Sequence, residues 1–288
     1  MFGGVASAAG AGALAYITYD FDTYGSLVMP MVMVLLVGLL LLTLQLFRSL
    51  KEEPENTGLI WFALALAGAG GGHVLLAQTG WMERYEHYVI TSLALGLVIL
   101  AGLAPKMGRI AVVLAVVAIG VTGARYVEKT ATKYHWGSRA IHLQQYQMQR
   151  FAKEFLDRNV AVNDLGWVVW GNDNYVLDLY GLANHEARHL RIFEPTPGWG
   201  GPLVERHDVS VIMIYHKFVE DAIAPEWVQL GKLVMNNARG FLGDDRVHFY
   251  AANFAEVPHA EAALREWNKT LLPDTCFVRT GDEKCWAP

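Results

Sequence analysis

The 288-residue sequence predicts a polytopic α-helical membrane region of about four spanning helices followed by an extracytoplasmic α/β domain. Three observations lead there. Long stretches without Asp, Glu, Lys or Arg follow one another between Gly25 and Ala124, whereas charged and apolar residues mix normally from Tyr126 onward. Lys and Arg gather in alternate short loops of the first half. The composition, 53% hydrophobic and 18% charged, is too apolar for a disordered chain, and a formal net charge of −5 argues against a nucleic-acid partner. The expected division is a short apolar segment over residues 1–25, a transmembrane helical domain over 26–127 and the exported domain over 128–288.

Taken in order, residues 5–19 are apolar but short, rich in Ala and Gly, and lack the basic start of a signal peptide. Asp20 and Asp22 precede the first clear span. Residues 26–47 run uncharged for 22 positions, enough at about 1.5 Å per residue to cross a hydrocarbon core of ~30 Å. Residues 58–82 form a second run interrupted only by His73, and residues 88–105 a third. Residues 110–124 make a shorter fourth, which Arg109 and Arg125 extend by reaching toward the interfaces. The Gly68 to Gly72 cluster is expected to permit close helix packing. His73 is the one titratable group expected at depth, either functional or hydrogen-bonded to a neighbouring helix.

The loop after the first span holds Arg48 and Lys51, and that after the third holds Lys106 and Arg109. The intervening loop has Arg84 beside Glu83 and Glu86. Basic loops stay in the cytoplasm, so the acidic loop and everything after Arg125 are expected outside, on the extracytoplasmic side. Cys276 and Cys285 fall in that exported domain, where an oxidising compartment would let them close a small disulfide loop; two free thiols are the alternative.

In the second half, apolar residues recur at three and four over 138–158 (Ile141, Tyr146, Met148, Phe151, Phe155), an amphipathic helix. Residues 160–162, 167–170, 175–179, 209–215 and 247–250 are rich in β-branched and aromatic residues and read as strands, and 260–270 as a closing helix. Strands interleaved with helices make an α/β layered domain.

Three clusters bear chemistry. His185-Glu186-Ala187-Arg188-His189 is an H-E-x-x-H, whose two imidazoles share a helix face and bind zinc in metallopeptidases with the Glu as base. Third ligands in a recognised pattern are missing, since Glu194, Glu205 and His207 fit none, and a solvated helix start explains it as well. Glu83, Arg84, Tyr85, Glu86 and Tyr88 suit an anionic head-group or a sugar at a membrane mouth, or simply an aromatic belt with paired charges. Asn163, Asp164 and Gly166, then Asn172 to Asn174, then Asp178 and Gly181, suit sugar hydroxyls or a cation, or plain turn chemistry. No cofactor is expected.

The runs Val160-Ala-Val-Asn-Asp164-Leu-Gly166 and Val176-Leu-Asp178-Leu-Tyr-Gly181-Leu182 resemble a signature of the exported domain of bacterial GT-C membrane glycosyltransferases. Arg84-Tyr85-Glu86-His87-Tyr88 resembles their late outer loop, and Pro225-Glu-Trp227, Val247-His-Phe-Tyr250 and Trp267 are similar to later pieces. The resemblance covers residues 58–273 and concerns the carboxy-terminal half of that family. It implies a lipid-linked sugar donor, an extracytoplasmic acceptor, and an acidic residue on the first outer loop that activates the acceptor and helps hold a divalent metal. It also implies a bacterial inner membrane, with the exported domain on the periplasmic side. Here the half bearing that loop has no counterpart; Ala13 and Leu14 stand where the acids would be, and neither can take a proton.

Two functions are therefore expected to compete. One is a non-catalytic accessory subunit derived from the glycosyltransferases, packed by its helices and exported domain on integral membrane subunits, for instance of a respiratory or photosynthetic complex, and on lipids. The other is a membrane glycosyltransferase, or half of a split one, with Asp20 or Asp22 as base and Arg84 on the donor phosphate.

Overall fold

The computed structural model describes residues 28–49, 57–76, 87–103, 105–240 and 242–286, and the chain divides into two compact units, Met1–Ala131 and Thr132–Pro288. The first unit holds helices α1 (Val28–Ser49), α2 (Thr57–Leu76) and α3 (His87–Leu103) and the first part of α4 (Pro105–Leu143), which continues across the boundary. Leucines three and four apart on α1 (Leu35, Leu39, Leu42, Leu46) interlock with Leu93, Leu97 and Leu100 of α3 and with Ile60 and Ala63 of α2. Yet Val37, Leu40, Leu41 and Leu44 of α1, Trp61 of α2 and Val113, Val116 and Ile119 of α4 lie exposed. A helix apolar on every side suits hydrocarbon rather than water.

Windows Met31–Arg48, Thr57–Leu76 and Arg109–Glu128 are long and apolar enough to cross a membrane. The expected third span is shorter, because α3 has only 17 residues and Pro105 opens the next helix. Of the glycine cluster, only Gly70 packs closely: a Cβ there would meet Leu36 and Leu93, while Gly68, Gly71 and Gly72 face open space. His73 is buried and hydrogen-bonded to a neighbouring helix, one of the two readings expected of it. It occupies the last turn of α2, buried, with Nδ1 2.7 Å from the Tyr88 hydroxyl of α3.

In the second unit, α4 gives way at Gln144 to the short helix α5 (Gln145–Arg150) and a π-turn over Phe151–Leu156, closed by Asp157 at φ 49°. The expected amphipathic helix is thus broken where Gln144 leaves helical geometry. The sheet has strand order β2-β1-β3-β5-β4-β6. Its members are β1 (Val160–Val162), β2 (Val176–Asp178), β3 (Val211–Ile214), β4 (Val228–Met235), β5 (Arg246–Ala251) and β6 (Thr275–Arg279). β1 runs parallel to β2 and β3, and the other pairs are antiparallel. One sheet face packs Phe249 and Phe277 on Phe151 and on Trp267 of α8 (Val257–Asn268). The other is covered over the parallel strands by α6 (His185–Phe193) and α7 (Gly201–Arg206), through Ala187, Leu203 and Val204.

Three expectations change. Residues 167–170 are not a strand: Gly166–Val169 is a 3-10 turn, with Trp170 N–H donating to the Trp167 carbonyl at 3.0 Å. Val168 in and Trp167 and Val169 out imitate the period of a strand, but Gly166 at φ +25° turns the chain. The final helix starts earlier, at Val257, and does not close the domain, since β6 follows. β4 was not legible, because a bulge between Gln229 and Gly231 breaks its alternation.

Candidate functional site

β1 leads into β2 on one side, and the chain then returns across α6 and α7 to β3 on the other, so the carboxyl ends of β1 and β3 form a switch point of an α/β sheet, where ligands characteristically bind. Asn163 and Asp164 leave β1 there, and Tyr215 leaves β3. The Tyr215 backbone N–H donates to Asn163 Oδ1 at 2.7 Å and ties the two strand ends. The Tyr215 hydroxyl, 2% exposed, donates to Gln144 Oε1 at 2.5 Å and accepts from Gln145 Nε2 at 2.9 Å. Gln145 Nε2 also donates to Asp164 Oδ2 at 3.1 Å. Burial, with the Asp164 carboxylate next, pushes the Tyr215 phenol well above its ordinary value, so it stays a neutral donor. Burial and then the nearby Asp178 raise Asp164.

Gln145 Oε1 is buried with no partner among the described residues. A Cβ placed on Gly166 would stand 3.5 Å from both that oxygen and Asp164 Oδ1. Two acceptors therefore converge where Gly166 omits a side chain. The arrangement can accept hydrogen bonds from a hydroxyl or an ammonium group.

Asp178 plays a different part. Its carboxylate, in a residue 3% exposed, accepts from the N–H groups of Tyr180 (2.8 Å), Gly181 (3.0 Å) and Ala183 (2.6 Å), which shapes the loop into α6. Gly181 at φ +87° packs against the Arg188 backbone, so a side chain has no room. Asp164 and Gly166 thus line the convergence of acceptors, whereas Asp178 and Gly181 hold the loop beside it.

The H-E-x-x-H does not assemble a zinc centre. Asn184 caps α6 by accepting from the Ala187 N–H, Glu186 pairs with Arg206 at 2.7 Å, and His189 faces Glu194 at 3.2 Å. Among the described residues no three His, Cys, Asp or Glu side chains gather as a metal set, and His207 stacks on Tyr175 instead. Of the loop cluster, Tyr88 pairs with His73 as described; Glu83, Arg84, Tyr85 and Glu86 lie outside the described residues, as do Asp20 and Asp22. Cys276 and Cys285 are bonded to each other, and Trp286 next to Cys285 returns its N–H to the Phe277 carbonyl at 2.7 Å.

Sequence reasoning missed Gln144, Gln145 and Tyr215. Adjacent amides in an otherwise apolar-periodic helix, and a tyrosine ending an uncharged β-branched run, were the available signals.

Fold and site together define a class: a mixed α/β sheet domain carried behind a set of long apolar helices. A family model described as "Domain of unknown function (DUF8728)" matches residues 139–250, a stretch that contains Gln145, Asp164 and Tyr215 and omits the first unit. No curated protein and no solved structure matches the chain.

Proposed function

We propose that the chain is a non-catalytic, glycosyltransferase-derived accessory subunit of a larger membrane complex. Its apolar helices lie in a bacterial inner membrane against partner helices, and its sheet domain works on the periplasmic side by binding. The observation that carries this is the apolar surface on the outward sides of α1, α2 and α4, formed by residues such as Leu40, Leu44, Trp61, Val113 and Val116, which only lipid or other helices can cover favourably. Further support comes from the sheet domain, where Asp178 is taken up by backbone N–H groups and Glu186 by Arg206, so neither is free to act as a base. The bonded Cys276 and Cys285 fit an oxidising compartment.

The test is purification of the full chain in mild detergent, with cysteines introduced at Leu40 and Val116 for cross-linking. Stoichiometric recovery with polytopic membrane subunits, cross-linked at those positions, is the expected result. A free monomer without cross-links overturns the proposal. Loss of a lipid-linked sugar transfer in a variant carrying Asp20→Asn and Asp22→Asn would replace it by the transferase.

A further inference from the structure

The antiparallel half of the sheet carries a second polar cluster, on the face turned away from Phe249 and Trp267. On β5, His248 stands opposite Lys232 of β4, Tyr250 opposite Gln229, and Arg246 opposite Val234. Residues directly opposite on antiparallel strands share a face, as do residues two apart on one strand. The bulge at Gln229/Gly231 brings Gln229 and Lys232, three positions apart, onto that same face. Gly231 makes this possible: at φ +157° it lies against the Val278 carbonyl and the Phe277 ring, where a Cβ has no space.

His216, just past β3, lays its imidazole on that of His248, with ring centroids 3.5 Å apart and planes inclined by 19°. His216 Nε2 is hydrogen-bonded to the Tyr250 hydroxyl, and His248 Nδ1 lies 3.3 Å from Gln229 Nε2. Burial and then Glu220 push the Tyr250 phenol up to about 12, so it keeps its proton and can donate to His216 Nε2 when the ring proton is on Nδ1. The Gln229 amide donates to His248 Nδ1 and leaves that ring's proton on Nε2. Each imidazole so offers an N–H.

Lys232 and Arg246 enter no ion pair among the described residues, while Lys217 is held by Asp244 at 3.3 Å. The charged groups acting on the two rings are Lys232, Arg246, Glu220 and Asp244. Burial, followed by His216 and Lys232, pushes His248 down to about 4, with Asp244 acting against them.

We infer that this sheet face is a binding site for a phosphate-class oxyanion, held by Lys232, Arg246 and the His248 N–H with His216 stacked behind. Lys232, Arg246 and the His248 N–H outnumber Glu220, the carboxylate acting on His216 that enters no ion pair among the described residues, which favours an anion over a sugar hydroxyl. A bound phosphate favours the imidazolium form of His248, so binding takes up a proton and tightens as pH falls. The phosphate comes either from a soluble phosphoryl compound or from a lipid head-group. This inference is independent of whether the chain belongs to a larger complex.

The experiment titrates inorganic pyrophosphate into the full chain in uncharged detergent micelles, followed by calorimetry at pH 6 and pH 8. Saturable binding is expected at both pH values. Lys232→Met or Arg246→Met should weaken it about tenfold each, the effect of losing one charge-assisted hydrogen bond. His248→Gln should weaken binding more at pH 6 than at pH 8, a comparison in which the ionisation of pyrophosphate itself cancels. Absence of saturable binding, or equal affinity in the wild type and both cation variants, overturns the site. Repeating the titration in nanodiscs assigns the source, and either outcome upholds the site. If phosphatidylglycerol discs suppress pyrophosphate binding relative to phosphatidylcholine discs, the ligand is a head-group; if the two agree, it is a soluble phosphate.

Discussion

The two halves of the sheet use polar residues in opposite ways. In the parallel half, β2-β1-β3, most polar groups turn inward: Asn163, Asp178 and Gln144 are buried and bond strand ends or loops to one another, while Gln145 Oε1 stays without a partner among the described residues beside Asp164. In the antiparallel half, β5-β4-β6, stability rests on an aromatic layer of Phe249, Phe277 and Trp267. Polar residues there are left on the opposite face with unspent donors. A polar side chain used to close backbone geometry is not available to a ligand; one standing over a finished apolar layer is. Buried groups lacking partners are costly, which forces the first kind of use, while half-exposed groups escape that constraint.

Four substitutions sharpen or break this contrast, in falling order of effect. Asp178→Ala orphans three N–H groups and should cost about 4 kcal/mol in urea denaturation, at about 1–3 kcal/mol for each buried donor left unmade. A loss under about 1 kcal/mol would mean that the parallel half does not depend on its carboxylate. Gly231→Ala forces a Cβ toward the Val278 carbonyl and should cost about 2 kcal/mol, while also weakening pyrophosphate binding by moving Lys232 out of register. Unchanged pyrophosphate affinity would separate the bulge from the anion site.

Asp164→Asn tests the inward half by pH. With the folded-state pKa raised, the unfolded chain ionises first as pH climbs past the ordinary 3.8, so the ionised form at neutral pH works against folding. The wild type should lose stability as pH rises from that value through the raised one. The Asn variant should lack that component, in paired urea curves at pH 4 and pH 7. Lys232→Met is the smallest: stability should stay within about 0.5 kcal/mol while anion binding falls, because the lysine makes no contact on which the fold relies.

Local pattern was enough for much of the secondary structure. The apolar runs became α1 to α4, and the β-branched runs at 160–162 and 209–215 became β1 and β3, since hydrophobicity and period are properties of neighbouring residues. It failed at residues 167–170, where four successive β-branched and aromatic residues lie in a 3-10 turn and its cap that bury Val168 alone, and at β4, where one extra residue inverts the alternation. It also singled out Asp164 and Asp178 together without telling them apart. Only their hydrogen bonds do so, three backbone donors on Asp178 and one amide on Asp164.

By itself the sequence determined a run of helices too apolar for water and a mixed helix-and-strand domain behind them, because those follow from the solvent preference of short stretches. It also placed two cysteines near enough along the chain to close a loop. Tertiary structure alone decided that Gln145 meets Tyr215, 70 positions away, and that His216 lies on His248. Such meetings depend on strand order and register, which are set by the summed packing of distant segments and leave no mark on the residues between them.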